Sequence, residues 1–172
     1  KQGGPFQVFT PYWRHCLALP VTPPVKFTAK ALPVPVRWPA SLDLSELALL
    51  PRIPWTGGFS PVWTPGENGA QQRLRQFLSK PVEAYAGQRN RPDIDGTSML
   101  SPWLHFGEIG PRQIWAALAA RSKTTGVFPD SNDARVFVSE VGWREFAYHL
   151  LFHFPHLLDK PLRGDFENFP WS

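Results

Sequence analysis

The sequence predicts a mainly α-helical chain in which a helical body follows an extended, proline-rich connector. Three observations carry this. Twelve of the 20 prolines lie in residues 1–66, and each removes a backbone donor and breaks a helix interior. From Asn68 onward apolar residues recur at helical spacing, as in Leu74, Phe77 and Leu78. Pro102 and Pro111 stand where the first turn of a helix tolerates proline.

In chain order, Gln7-Val8-Phe9 is a short strand candidate ended by Pro11, and residues 16–66 read as a connector. One short helix is expected there over Leu42 to Leu50, capped by Ser41 with Glu46 in its early turns. The helix from Asn68 keeps Arg73, Arg75 and Lys80 outside its apolar stripe and is interrupted by Pro81 before Tyr85. The segment Asp95 to Ser101 is a loop leading to Pro102, whose helix would bury Leu104, Phe106 and Ile109. Pro111 opens a helix through Ile114, Trp115 and Leu118 to about Arg121, and Lys123 to Ser131 is a polar loop. The longest helix is expected from Asn132 or Asp133 to about Phe154. Its rear part, Tyr148 to Phe154, is apolar nearly all round, which predicts burial among other helices.

A chain of 172 residues with 42% hydrophobic content is long enough for one globular core. Its 14% aromatic share fits either a stacking ligand or a core of large rings. The formal charge of +4 is compatible with a polyanionic partner. Cys16 is the single cysteine, so an internal disulfide and a cysteine-rich zinc site are excluded, and a reducing, soluble, cytoplasmic setting is expected. No run of eighteen apolar residues suggests a membrane span. The start at Lys1-Gln2-Gly3 and the apolar finish at Phe169-Pro170-Trp171 lead us to expect a segment of a longer protein.

The chemistry concentrates in Glu140 to His149, where an indole, a guanidinium and two carboxylates fall within six positions. On a helix Phe137, Glu140, Val141 and Arg144 share one face, and Glu140, Trp143 and Ala147 share an overlapping one. Glu140 beside Trp143 would be desolvated and able to donate a hydrogen bond, or it forms an i, i+4 ion pair with Arg144. The hydroxyls and amides of Thr97 to Ser101 ahead of a helix form either a phosphate seat or a plain cap by Ser101. Tyr85 and Arg89, one turn apart, address one ligand edge or are a core ring beside a solvated cation. His149 and His153 have metal-ligand spacing, but no acidic residue stands between them as in a zinc-protease motif, and satisfied interface histidines are the better reading. Ser98, Ser101, Glu83, Asp93 and Asp95 lack a signature that pairs a nucleophile with a base, so hydrolase chemistry is rejected.

These residues resemble the DNA photolyase and cryptochrome family. The resemblance rests on Trp63-Thr64-Pro65-Gly66-Glu67, Tyr85 with Arg89-Asn90, Gly96 to Pro102 followed by Leu104 to Ile109, and Glu140 to Phe146 with His149. Val8 to Trp13 is similar to the family's exit from its N-terminal α/β antenna domain, so the resemblance covers essentially the whole chain. It implies residues 1–15 as the end of that domain including its last strand, 16–66 as the interdomain connector, and 67–172 as the first half of the all-helical FAD-binding domain.

The function so implied is light-dependent repair of cyclobutane pyrimidine dimers in ultraviolet-damaged DNA by electron transfer from a reduced, noncovalent FAD, in a parent acting as a monomer. Tyr85, Thr97, Ser98, Met99, Leu100 and Ser101 match positions around the FAD pyrophosphate and ribityl chain, and Phe137 and Arg144 match flavin contacts. Glu140 matches the glutamic acid that hydrogen-bonds the dimer and stabilises its radical anion, and Trp143 the indole packed on the flipped lesion, with Ala147 beside it. Arg89 matches a DNA-contacting position.

Glu140 in place of glutamine argues against a (6-4) photolyase, Trp143 against a plant-type cryptochrome, and Trp-Arg-Glu-Phe against a DASH type, leaving class I as the expected class. The antenna folate or deazaflavin of the parent is not expected on this segment, which is expected to be inactive alone. A photoreceptor signalling through a protein partner is the alternative.

Overall fold

The computed structural model describes residues 3–25, 31, 33–122 and 129–170. Of the expected loop from Lys123 to Ser131, residues 123–128 lie outside them. Helices α1 (Phe9–Leu17), α2 (Glu67–Ser79), α3 (Tyr85–Gln88), α4 (Ser101–His105), α5 (Pro111–Ala119) and α6 (Asn132–His153) follow in order, with short 3₁₀ turns at Leu44–Leu47, Pro81–Ala84, Pro155–Leu158 and Gly164–Phe166. No strand occurs among the described residues.

Helix α6 is the axis on which the others pack. Ser131 caps it, its side chain accepting from the Ala134 amide at 3.1 Å. Ala134, Phe137, Val138, Gly142 and Phe146 are buried along it, a stripe at helical spacing. Near its start the Phe137 ring meets Phe77 of α2 at 4.6 Å and Tyr85 of α3 at 5.2 Å between centroids. The Asp133 carboxylate accepts from the Ala86 amide at 2.8 Å, fixing α3 to the first turn of α6. Trp103 of α4 is buried and donates from its indole nitrogen to the Thr64 carbonyl at 2.9 Å, so the end of the connector is tied to the core.

Helix α1 lies across the middle of α6, and the contact is aromatic. Phe9 stacks on Trp143 at 3.7 Å, and Tyr12 meets Phe146 at 5.1 Å and His149 at 5.0 Å. Close approach requires glycine at 142, since a Cβ there would stand 2.6–2.9 Å from three ring carbons of Trp13.

Several expectations are corrected. Gln7-Val8-Phe9 is not a strand: α1 begins at Phe9, and Pro11 falls in its first turn, where the missing N–H has no intrahelical acceptor to lose. The Leu42–Leu50 helix shrinks to one 3₁₀ turn at Leu44–Leu47. Its cap is Asp43, whose amide donates to the Glu46 carboxylate at 2.7 Å, and Ala48 in the left-handed region ends it. Phe106 is exposed, and Trp103 takes its place in the core. The rear of α6 is open as well: Tyr148, Leu151 and Phe152 are exposed, because α1 meets that end only on its His149 side.

Gly142→Ala should lower the unfolding free energy by about 1–3 kcal/mol, the usual cost of forcing atoms into a close-packed contact, seen as a lower urea midpoint at unchanged slope.

The His149 imidazole meets the Phe6 carbonyl at 3.1 Å and, when neutral, donates from Nε2. Burial, then the neighbouring His153, push its pKa down, with the Phe6 bond opposing. A depressed folded-state value means that the unfolded chain takes up the proton first. Its contribution is therefore complete above about pH 6.5 and is lost as pH falls through the lower folded value. Urea midpoints should drop from pH 7 downward, and His149→Gln should flatten that slope.

Candidate cofactor and nucleic-acid site

Tyr85 and Phe137 are packed face to edge in the core, and one turn beyond each of them the chain presents a charge. Arg89, four residues after Tyr85, donates to the carboxylate of Glu140, three residues after Phe137. The expected Glu140–Arg144 pair is replaced by this one, and Glu140 acts as an acceptor toward a cation. Both side chains remain about a third exposed, 31% for Arg89 and 34% for Glu140.

Arg89 also lines an open cleft of about 690 Å³ with Asn90, Arg91, Asp93, Asp95, Thr97 and Met99. The loop between α3 and α4 thus shares a concavity with the cation that pairs with Glu140. Met99 adopts φ 51°, in the left-handed region. Leu100 is buried and anchors the loop from below, whereas Ser101 is exposed. The plain cap by Ser101 is not formed: Leu100 is the N-cap of α4, with no side-chain cap bond, and the five-residue helix starts at Ser101 itself. A helix this short carries little dipole, so any anion affinity here comes from loop amides.

Arg144, one turn after Glu140, engages other partners. It donates to the Leu104 carbonyl and to the Tyr148 hydroxyl, each at 3.0 Å, and lies over the Tyr148 ring at 4.9 Å. Its Nε is buried without an acceptor. Trp143 is 47% exposed while one ring face rests on Phe9, and Ala147, one turn on, is exposed beside it.

Phe137, 3% exposed among Phe77 and Tyr85, is a core ring and offers no open face beside Arg144. Tyr85 is likewise buried, and that burial, with Glu140 adding to it and Arg89 opposing, raises its hydroxyl pKa. His149 and His153 stand with rings 4.5 Å apart, and no group of three or more metal-ligating side chains occurs among the described residues.

No family model matches the chain. Over 177 residues it is 42% identical to the deoxyribodipyrimidine photo-lyase of Agrobacterium fabrum, an alignment covering 99% of this chain and 35% of that protein. It is 41% identical over 175 residues to the deoxyribodipyrimidine photo-lyase of a Synechococcus strain, covering 99% of this chain and 36% of that protein. A solved bacterial class III photolyase from Agrobacterium tumefaciens superimposes with a TM-score of 0.82 at 41% identity, covering 100% of this chain and 35% of that one. The chain belongs to the photolyase and cryptochrome family.

This photolyase-family chain spans about a third of the length of the photolyases it matches. Its helices are those of the family's helical FAD-binding domain. Arabidopsis thaliana Cryptochrome-1 is also similar, at 29% identity over 185 residues and 99% of this chain. The solved relative is a class III photolyase, whereas Glu140 and the Trp-Arg-Glu-Phe run point to class I. No helix among the described residues is long and apolar enough to cross a membrane.

Sequence reasoning missed two residues at the photolyase-like site. Arg73, expected outside the apolar stripe of α2, reaches into the 95–98 loop. Phe9 was assigned to a strand, yet it covers Trp143. Neither has a spacing signal, because each partner lies more than twenty residues away.

The Arg89–Glu140 pair is exposed enough that water screens it. A double-mutant cycle with Arg89→Ala and Glu140→Ala should give a coupling energy below about 1 kcal/mol, measured from urea unfolding.

Proposed function

We propose that this chain is part of a DNA-repair lyase that splits cyclobutane pyrimidine dimers under blue light, with a reduced, noncovalent FAD as its cofactor. The reading is supported by likeness to named photolyases over 99% of the chain. Within the molecule, one observation carries it: the cation suited to phosphate and the carboxylate suited to a lesion are already paired at the rim of one cleft. We place its action inside the cell, in a longer protein working as a monomer.

The residues fit such a cofactor in part. The buried, acceptor-less Nε of Arg144 is a donor for a ligand oxygen, and the Ser98 and Met99 amides have no acceptor among the described residues. Tyr85, Leu100 and Phe137 support these groups from inside the core. When bound, FAD supplies the electron that opens the cyclobutane ring and receives it back.

The chain's own residues then act on the DNA. A dimer inside a duplex cannot reach a buried flavin, and a damaged step is cheaper to unstack, so the lesion is flipped out. Arg89 exchanges the Glu140 carboxylate for a backbone phosphate, a contact that positions without reading sequence. Glu140, so released, hydrogen-bonds the polar edge of the dimer. Trp143 packs its open side against the lesion, and the small side chain of Ala147 leaves room for it. Glu140 supports the cyclobutane dimer as substrate over the (6-4) lesion.

A second reading, a blue-light photoreceptor that signals through a protein partner, is favoured by the similarity to Arabidopsis Cryptochrome-1. Repair and signalling separate in one experiment on the full-length protein, using dimer-containing DNA under blue light. Trp143→Ala should weaken damaged-DNA binding about tenfold, the scale of one lost base stack, with flavin retained. Glu140→Gln should keep DNA binding but split fewer dimers per absorbed photon. Unchanged lesion affinity and unchanged yield in both variants would refute the repair reading. The 172-residue chain alone is expected to hold little flavin.

A further inference from the structure

Arg73 has its side chain 19% exposed, and its hydrogen bonds to the described residues converge on one loop. Nε donates to the Ser98 carbonyl at 2.9 Å and Nη2 to the Thr97 carbonyl at 3.1 Å. Nη1 and Nη2 together grip the Asp95 carboxylate at 3.2 and 2.7 Å. Among the described residues, these are the bonds that tie the 95–99 loop to another element.

A planar trans peptide points its C=O and its N–H in opposite directions. With the carbonyls of Thr97 and Ser98 held toward α2, the N–H groups of Ser98 and Met99 face away from it, and neither finds an acceptor among the described residues. Thr97 and Met99 line the cleft that Arg89 shares. Two adjacent outward amides, one on a residue at positive φ, make a concave anion seat.

We propose that Arg73 is the positioning residue of this seat: its fork fixes two successive peptide planes so that their amides face a ligand phosphate. The proposal rests on the reading of the loop as the FAD pyrophosphate site. Asp95 neutralises the guanidinium, and Arg73 in turn holds the Asp95 carboxyl below the usual carboxylate range. What Arg73 contributes is therefore geometry more than attraction. A lysine at 73, a point charge without the fork, would not substitute for it.

The test uses ¹⁵N-labelled chain, inorganic pyrophosphate and the variants Arg73→Gln and Arg73→Lys. In the unaltered chain the amides of residues 97–99 should have order parameters near about 0.85, and in both variants they should fall below about 0.6, while α6 is unchanged. Pyrophosphate should shift the Ser98 and Met99 amides of the unaltered chain and bind at least ten times more weakly to both variants. A rigid loop in Arg73→Gln, or full binding by Arg73→Lys, would overturn the positioning role while leaving the seat intact. A loop loosened in the variants but with no pyrophosphate shift in the unaltered chain would overturn the phosphate reading instead. Should Arg73→Gln fail to fold, Asp95→Asn serves: a smaller loosening of the same three residues supports the proposal, and wild-type values overturn it.

Discussion

The contact of Phe137 with Phe77 and Tyr85 sets the rest of this structure. Ring pairs at 4.6 and 5.2 Å each contribute about 0.5–1.5 kcal/mol beyond the area they bury, but their larger effect is registration. They fix the rotation of α6 against α2 and α3. One helical turn further along α3 and α6, the same registration brings Arg89 to Glu140. A charged pair that no sequence spacing foretells is thus a consequence of apolar packing one turn away.

The second constraint is the α1–α6 seam. Gly142 lets α1 approach until Trp13 lies on the α6 backbone, and this approach delivers Phe9 to Trp143. Trp143 consequently has a packed side and an open side. A ring backed in this way is pre-oriented, so a ligand that packs on it does not have to bear the cost of immobilising a free indole. The same seam makes Trp143 part of the fold, which is why its replacement has to be read with a control on folding.

Charge on this chain is organised in two layers. Arg73 is turned inward and neutralised by Asp95, where it shapes a loop. Arg89 stays at the rim, paired but accessible, where it can change partners. The net charge of +4 distinguishes neither role. Desolvation and hydrogen-bond geometry do: Arg73 makes four hydrogen bonds to the 95–98 loop, which leaves one of a guanidinium's five donors for anything else, whereas Arg89 is held through Glu140.

The sequence alone determined the helical class, the mostly irregular course of the proline-rich first third, the positions of α2, α5 and α6 to within a residue or two, and the family motifs around Thr97 to Ser101 and Glu140 to Phe146. These are local properties, set by periodicity and by proline's missing donor, or short runs read directly. The tertiary structure decided that Phe9 begins a helix, that Phe137 is core, that Glu140 pairs with Arg89 instead of Arg144, and that Arg73 belongs to the loop. Each of these depends on residues 22 to 134 positions apart in the chain meeting in space, and neither a 3.6-residue period nor a motif records which distant surface a side chain will meet.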